Sequence, residues 1–419
     1  MKNTSAIYEI SSTSSLREAW RQISKKNMQS KGIDNVTIKS FKNNLDNNLE
    51  EISKEIRAGE FKFNKLRARP IKKAGSSKPR PLQIATVRDR VVMKALALHI
   101  GPTFQKLDQE CSYAFIKWRG VNKAVTRIQE LVQQGHKYYF EADIINFFGA
   151  VDREVLWTKF SRRVRQRSLL PLLRQSFDLE LGNLESFKTE LQELFASANS
   201  GIPQGGVLSP MLANFYLYEF DRAMMRKEFK LVRYADDFVV MCESLERAKQ
   251  AHKEGKALLH SVGLCIHELG PDSKTRLGEF TKDGLIFLGI RFEGKEVFPT
   301  SKAVGKFKSK VEETLISSSG NSLFKTLQKL TNLINGWGNC YKKMKVGKTY
   351  LELDSFIKSK VQLYLTTMGI RLVGKNKRKH MKLLGIPSLS SMIEWGPKPD
   401  PSKQRKNLKN EAIVNSTQG

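Results

Sequence analysis

Two aspartates side by side inside an apolar stretch limit what this chain can fold into more than any other feature. The stretch is Leu231-Val232-Arg233-Tyr234-Ala235-Asp236-Asp237-Phe238-Val239-Val240-Met241. β-Branched and aromatic residues flank the acids on both sides, which predicts strand, tight turn, strand. Such a hairpin thrusts both carboxylates out at its tip. Paired acids in an apolar setting repel and raise each other's pKa, so a bound cation is the natural reason to place them there. Asp-Asp also occurs in plain solvated turns, and the pair alone does not decide between the two. A third acid in the same kind of setting, Asp143 of Tyr138-Tyr139-Phe140-Glu141-Ala142-Asp143-Ile144-Ile145-Asn146-Phe147-Phe148, favours the cation.

Those residues carry a resemblance. Tyr234-Ala235-Asp236-Asp237 resembles the YxDD box of reverse transcriptases, and Asp143 resembles the aspartate of their first palm motif. Between them, Gly201-Ile202-Pro203-Gln204-Gly205-Gly206-Val207-Leu208-Ser209-Pro210-Met211-Leu212-Ala213-Asn214 is similar to the PQGGxxSPxLAN box of the group II intron-like bacterial branch. Three boxes in this order are far more specific than a lone tetrapeptide. The resemblance implies an α+β, right-hand polymerase with an antiparallel palm sheet carrying the YADD hairpin. It divides the chain into a helical N-terminal extension (1–66), fingers (67–136), a palm (137–298), a helical thumb similar to maturase domain X (299–371) and a basic C-terminal tail (372–419).

Composition agrees with a nucleic-acid partner. The chain has 419 residues, room for two or three domains, and a formal net charge of +30. Such an excess of Lys and Arg repels itself unless it meets a polyanion. Cys111, Cys242, Cys265 and Cys340 are scattered without a CxxC pair, which suits a reducing compartment and argues against a zinc knuckle or a disulfide frame. No apolar run approaches membrane-spanning length and the N-terminus lacks signal-peptide order, so the expectation is a cytoplasmic protein without a membrane partner.

Along the chain, Ser15-Leu16-Arg17-Glu18 fits a capping box, and Leu45, Leu49, Ile52 and Ile56 recur at helical spacing before a Gly59 stop. Lys31-Gly32-Ile33-Asp34-Asn35-Val36-Thr37 resembles the GxDG-type loop of the family's N-terminal extension, with Asn35 in place of the second glycine. A turn-rich tip between basic strands at 67–82 predicts a β-hairpin. A helix is expected from Val87 to Ile100, stopped by Gly101-Pro102. Ser112-Tyr113-Ala114-Phe115-Ile116-Lys117-Trp118-Arg119-Gly120 departs from the family's SYGFRPxR and keeps a basic, aromatic character suited to nucleic acid. His136 has no ligand partner at useful spacing and reads as a surface histidine. An amphipathic helix should begin at Asn214. Beyond residue 300, Phe324, Leu327, Leu330, Ile334 and Trp337 recur on one face.

Site roles follow from the resemblance. Asp143, Asp236 and Asp237 would be the catalytic acids and, with the Ile144 carbonyl, the ligands of two Mg²⁺ ions, for which Mn²⁺ is a plausible substitute. Two such ions about 4 Å apart serve both ends of an in-line phosphoryl transfer. Lys73, Lys78 and Arg80 match the fingers hairpin that closes on the incoming nucleotide, where ammonium and guanidinium groups suit triphosphate oxygens. Phe148 stands where the family places its steric gate against a 2′-hydroxyl, followed by Gly149 where the family usually has Asp; a Phe in this position also serves as plain core. Gln204 can reach the incoming nucleotide, and Lys274 is a candidate general acid, or a plain surface lysine. Tyr234, the primer-grip residues Phe287, Leu288 and Gly289, and the thumb lysines Lys342, Lys343, Lys345 and Lys348 would touch nucleic acid.

The expected activity is RNA-directed DNA polymerisation from dNTPs on an RNA template, with a DNA product. The chain lacks the CxxC/His endonuclease module, so it looks like the free-standing bacterial enzymes, many of which serve antiphage defence with a structured noncoding RNA as template. The alternatives are a group II intron protein acting in splicing and retrohoming, and an RNA-binding maturase without polymerase activity.

Overall fold

The protein is described here by a computed structural model covering residues 5–24, 27–72, 79–270, 273–294, 296–316, 322–370 and 377–393. Lys73 and Lys78 lie outside the described residues. The chain divides into two compact units, Met1–Glu279 and Phe280–Gly419, each with its own core.

The first unit opens with helices α1 (Ala6–Ile10), α2 (Thr13–Ile23), α3 (Ile38–Asn43) and α4 (Leu45–Ala58). Ser12, rather than Ser15, caps α2, its hydroxyl accepting from the Ser15 amide. The expected Ser15–Glu18 box therefore lies within the helix. Leu49, Ile52 and Ile56 are buried along α4, which ends at Gly59 in the left-handed region (φ 74°), as the sequence pattern anticipates. Asn35 is also left-handed (φ 62°), so it fills the conformation that a glycine would, which Asn tolerates better than most residues.

β1 (Arg67–Ile71) and β2 (Arg80–Ile84) form the antiparallel pair read from the sequence. Helix α5 (Val87–Gln105) runs straight through Gly101 and Pro102, so the expected stop fails there. A proline in the last turn removes only one backbone hydrogen bond, and buried Ile100 and Phe104 hold both sides of it. After α6 (Val121–Gln133), His136 is only 8% exposed, and its Nδ1 lies 3.3 Å from the Leu131 carbonyl. It is thus a buried helix-end residue and not the surface histidine expected.

β3 (Tyr138–Asp143), the one-turn α7 (Phe147–Ala150), α8 (Arg153–Arg163), α9 (Leu170–Phe177) and α10 (Thr189–Asn199) come next. α11 (Ser209–Arg226) starts five residues before the expected Asn214, with Pro210 in its first turn, where a missing N–H costs nothing. β4 (Lys230–Tyr234), β5 (Asp237–Cys242), α12 (Leu245–His260) and β6 (Arg276–Glu279) complete the unit. The four strands form an antiparallel sheet in the order β4-β5-β3-β6. Phe140, Phe238 and Val240 face a core shared with Leu217 and Phe220 of α11 and Ala251 and Leu259 of α12. This is the α+β class expected, with the YADD hairpin on an antiparallel sheet.

The second unit contains α13 (Phe280–Asp283), a three-stranded sheet of β7 (Leu285–Phe287), β8 (Ile290–Glu293) and β9 (Glu296–Pro299), and then α14 (Ser301–Ile316), α15 (Leu323–Tyr341), α16 (Gly347–Thr367) and α17 (Lys377–Leu383). The sequence reading placed 285–298 with the palm, whereas here these strands group with the helices that follow. Leu327, Leu330 and Ile334 are buried along α15, but Phe324, assigned to the same face, is 74% exposed at the helix start.

Part of what reads as a tail is ordered. Its polar, Pro- and Ser-rich composition hides an anchor on α16: Asp354 accepts from the Ser388 hydroxyl (2.6 Å) and from the Leu389 and Ser390 amides (2.7 and 3.0 Å). Leu389 is buried, and a Cβ at Gly338 of α15 would come within 2.4 Å of the Met392 sulfur. A larger residue at Gly338 would require the Met392 and Leu389 side chains to shift. Asp354→Ala strands two amides and should cost about 1–3 kcal/mol, read as a lower melting temperature with lost hydrogen-exchange protection at Leu389 and Ser390; unchanged protection would refute the anchor.

Candidate active site

The three acids meet at one end of the four-stranded sheet. β3 pairs with β5 so that Asp143 sits directly opposite Asp237. β4 and β5 close at Tyr234 opposite Asp237, leaving Ala235 and Asp236 as the turn. Ala235 is held in the left-handed region (φ 59°), an uncommon and strained position for a residue with a Cβ. The Ile144 amide donates to the Asp236 carbonyl at 3.3 Å and ties the end of β3 to the turn.

The arrangement is electrostatically costly. Burial and then the Asp143 charge push the Asp236 carboxyl up from its ordinary value. Asp237 is pushed up to about 7 by burial and by the charges of Asp236 and Asp143, with whose carboxyl it is within hydrogen-bond reach. Two cations counter this. Lys274 makes an ion pair with Asp143, and Arg80 on β2 stands near enough to pull Asp236 back down. Lys274 therefore belongs to the acid cluster and is no plain surface lysine, although its side chain remains half exposed. Next to it, Arg276 holds Glu141 at 2.6 Å.

Among the described residues no three His, Cys, Asp or Glu side chains stand ready as a closed metal cage, and Asp143 is turned to Lys274 instead. The donor set nevertheless fits a hard divalent cation: oxygen ligands only, under-neutralised and mutually repelling, at the open end of a sheet.

Phe148 is half-buried on α7, edge-on to Phe147 with ring centroids 5.4 Å apart. Its carbonyl accepts from the Ile202 amide at 2.7 Å, and the Gly149 carbonyl accepts from the Ser200 hydroxyl at 2.9 Å. A Cβ on Gly201 would lie 1.9 Å from the Phe148 carbonyl oxygen, and one on Gly149 2.6 Å from the Asn146 amide nitrogen. Any side chain at Gly149 would require the Asn146 side chain to move aside. Gln204 is half-buried, and its carbonyl accepts from the Gln83 amide of β2 at 2.9 Å, joining the 201–214 segment to the basic hairpin.

Sequence reasoning missed the residue that holds all this in place. Arg233 of β4 is fully buried and forks onto Asp221 of α11, Nε to Oδ1 at 2.6 Å. It also donates to the Ala235 carbonyl (3.0 Å), the Ser112 hydroxyl (2.9 Å) and the Asn214 side chain (3.3 Å). Burial pushes the Asp221 carboxyl up while the guanidinium pulls it back, and an arginine does not shed its proton. An arginine set directly among Leu231, Val232 and Tyr234 is the signal that could have found it. In the adjoining loop, Phe115 and Trp118 are 57% and 83% exposed, both left-handed, and Arg119 is bonded to the Gln109 and Ser112 carbonyls.

In the second unit, Phe287 is buried, and Leu288 and Gly289 form a two-residue turn between β7 and β8 with φ 54° and 75°. Positive φ at both positions matches the twist of a tight hairpin. Of the expected thumb lysines, Lys343 and Lys348 are exposed, Lys342 is half-buried, and Lys345 is paired with Glu296. Lys345 is to that extent less available to phosphate than its sequence suggests.

Comparison with known proteins agrees with this geometry. Residues 71–292 match the reverse transcriptase (RNA-dependent DNA polymerase) family. The chain belongs to that family. Reverse transcriptases bind nucleic acid and use divalent metal ions, in keeping with the acid cluster and the charge. Residues 304–380 match the group II intron, maturase-specific domain. Protein YkfC of Escherichia coli is 27% identical over 315 residues, 66% of this chain and 79% of YkfC. Group II intron-encoded protein LtrA of Lactococcus lactis is 25% identical over 57% of this chain and 37% of LtrA. Retron Ec73 reverse transcriptase of Escherichia coli is 27% identical over 42% and 52%. The chain thus spans most of YkfC but little over a third of LtrA. No helix among the described residues of this reverse transcriptase is long and apolar enough to cross a membrane.

Folded Asp237 keeps its proton to about pH 7, against 3.8 for the unfolded group. Between those values the folded state binds more protons, so this contribution to stability is full below pH 4 and lost as the pH rises to 7. Asp237→Asn should therefore stabilise the metal-free protein by about 2 kcal/mol at pH 8 and leave it unchanged near pH 4, as read by denaturant unfolding. A less stable variant at pH 8 would contradict the repulsion.

Proposed function

We propose that this chain is an active RNA-directed DNA polymerase that extends a primer with dNTPs at the Asp143, Asp236 and Asp237 cluster. The observation that carries the reading is the register that sets Asp143 opposite Asp237 at the strand end, one residue from Asp236. The three carboxylates, with the Ile144 carbonyl, are the groups that would hold two Mg²⁺ ions, Mn²⁺ being an alternative. When bound, such ions lower the pKa of the attacking hydroxyl and neutralise phosphate charge. Arg80 would orient the triphosphate, Gln204 would approach the nascent pair from its loop, and Phe148 would close the space beside the sugar. Lys274, released from Asp143, has a proton to give near the leaving phosphate. Tyr234 at the hairpin, and Phe287, Leu288, Gly289 and the lysines Lys342, Lys343 and Lys345 in the second unit, are the residues we assign to nucleic acid.

Primer extension on an RNA template by the wild type and by Asp236→Ala tests the reading. The expected result is activity that depends on a divalent ion and falls at least a thousandfold in the variant, a size typical of lost charge stabilisation at a reacting centre. Equal inactivity of both proteins would overturn it. Phe148→Ala is expected to admit ribonucleotides, raising rNTP incorporation relative to dNTP roughly tenfold or more, since removing a steric block is worth about 1–3 kcal/mol. Unchanged sugar selectivity would remove Phe148 from the gate.

The maturase-specific match at 304–380 favours a second reading, an intron-encoded protein that aids splicing and mobility of its host RNA. Sequencing the RNA that copurifies with the chain separates the two: an intron supports the second reading, and a compact noncoding RNA supports a free-standing, defence-type enzyme.

A further inference from the structure

The surface around the end of α8 carries a charge that the polymerase reading does not use. Ser161-Arg162-Arg163-Val164-Arg165-Gln166-Arg167 presents four exposed arginines in six positions. None of the four makes an ion pair among the described residues; Arg167 leans one N–H on the Ser161 carbonyl at 3.2 Å. The nearby acids are already engaged. On α8 and on α9 and α11, which pack against it, Glu154 is held by Arg174, Glu219 by Lys159 and Asp221 by Arg233. Asp178, just past α9, is also held by Arg174.

A helix C-terminus welcomes cations, which would account for Arg162 and Arg163 in the last turn of α8. It does not account for Arg165 and Arg167, which lie beyond the helix. Nor is the segment a loose tail. Val164 is buried in the middle of the cluster and Leu169 two residues after it, so the backbone that displays the guanidiniums is pinned.

We propose that this cluster is a second RNA-binding surface, one that grips the phosphate backbone of a folded, double-stranded RNA segment outside the copying centre. Guanidiniums fork onto phosphate oxygens more specifically than lysines do. The segment has no aromatic residue on which an unpaired base could stack, which disfavours single-stranded ligands and suits a stem read by its backbone. Position supports the same choice. The N-terminus of α8 touches the gate region, where Arg153 donates to the Gly201 carbonyl at 2.7 Å. Eleven residues of helix then carry the chain about 16 Å away, so the cluster meets phosphates other than those of the nucleotide being added. The proposal deepens the polymerase reading by describing how its RNA is held.

The test uses the full chain and a blunt 20-base-pair RNA hairpin as probe, with binding followed by fluorescence anisotropy over a range of salt. The variant is the quadruple change Arg162→Gln, Arg163→Gln, Arg165→Gln and Arg167→Gln, at exposed positions, with an unaltered melting temperature as the folding control. Affinity should fall roughly tenfold or more, and the slope of log K against log salt should become shallower by about 3, near 0.9 for each phosphate released. The matching Arg-to-Lys variant should keep most of the slope. Primer extension on a short oligo(dT)–poly(rA) duplex should persist in the Gln variant. Equal affinity and slope for wild type and Gln variant would overturn the proposal and leave the cluster to solvent or an acidic protein. A wild type that binds the hairpin but extends no primer would instead count against the polymerase reading, so the two failures are distinct.

Discussion

The buried fork between Arg233 and Asp221 is the interaction on which the rest of the first unit depends. Taking two charges out of water is costly, and replacing such a pair by apolar side chains is often neutral or better for stability. Its value here is in what else the guanidinium touches. One side chain reaches α11 through Asp221 and Asn214, the loop before α6 through Ser112, and the YADD turn through the Ala235 carbonyl. The backbone adds to this, with the Arg233 amide on the Cys111 carbonyl at 2.7 Å and the Tyr113 amide on the Arg233 carbonyl at 2.9 Å. A hydrophobic isostere could fill the volume but could not fix three segments in register with one another.

That rigidity lets the sheet carry a cluster that disfavours itself. The charge of Asp143 raises the proton affinity of Asp236 and Asp237, and among the described residues Lys274 and Arg80 stand against this. The fold concentrates negative charge where a polymerase needs positive ions and keeps it there by strength elsewhere, in the apolar packing of Phe140, Phe238 and Val240 and in the Arg233 network. Loss of local stability at a working site in return for chemistry is a common trade in enzymes.

Much of this was legible in the sequence because periodic patterns and turn chemistry are local. The hairpin at 234–237, the strand carrying Asp143 and the α4 stop at Gly59 follow from residue types within a few positions of one another. What the sequence hid depends on distant partners. Pro102 is tolerated in α5 because Ile100 and Phe104 are buried around it, and His136 is covered because α6 ends beneath it. Asp354 catches a Ser-rich segment more than thirty residues downstream, which composition alone presents as tail. Arg233 pairs with an aspartate twelve residues before it, across a helix-to-strand turn that no spacing rule encodes. The crowding of Gly149 by the Asn146 side chain, three residues before it, is likewise a matter of packing that the sequence does not display.

The contact between Gly201 and the one-turn helix α7 has a further consequence. The Ile202 amide bonds directly to the Phe148 carbonyl and the Ser200 hydroxyl to the Gly149 carbonyl, and Gly201 lets backbone touch backbone. Main chain cannot rotate out of the way as a side chain can, so a displacement of the backbone at Gly201 and Ile202 presses on the backbone that carries Phe148. Under the roles proposed for Gln204 and Phe148, the two would be joined through main chain and not through a movable side chain.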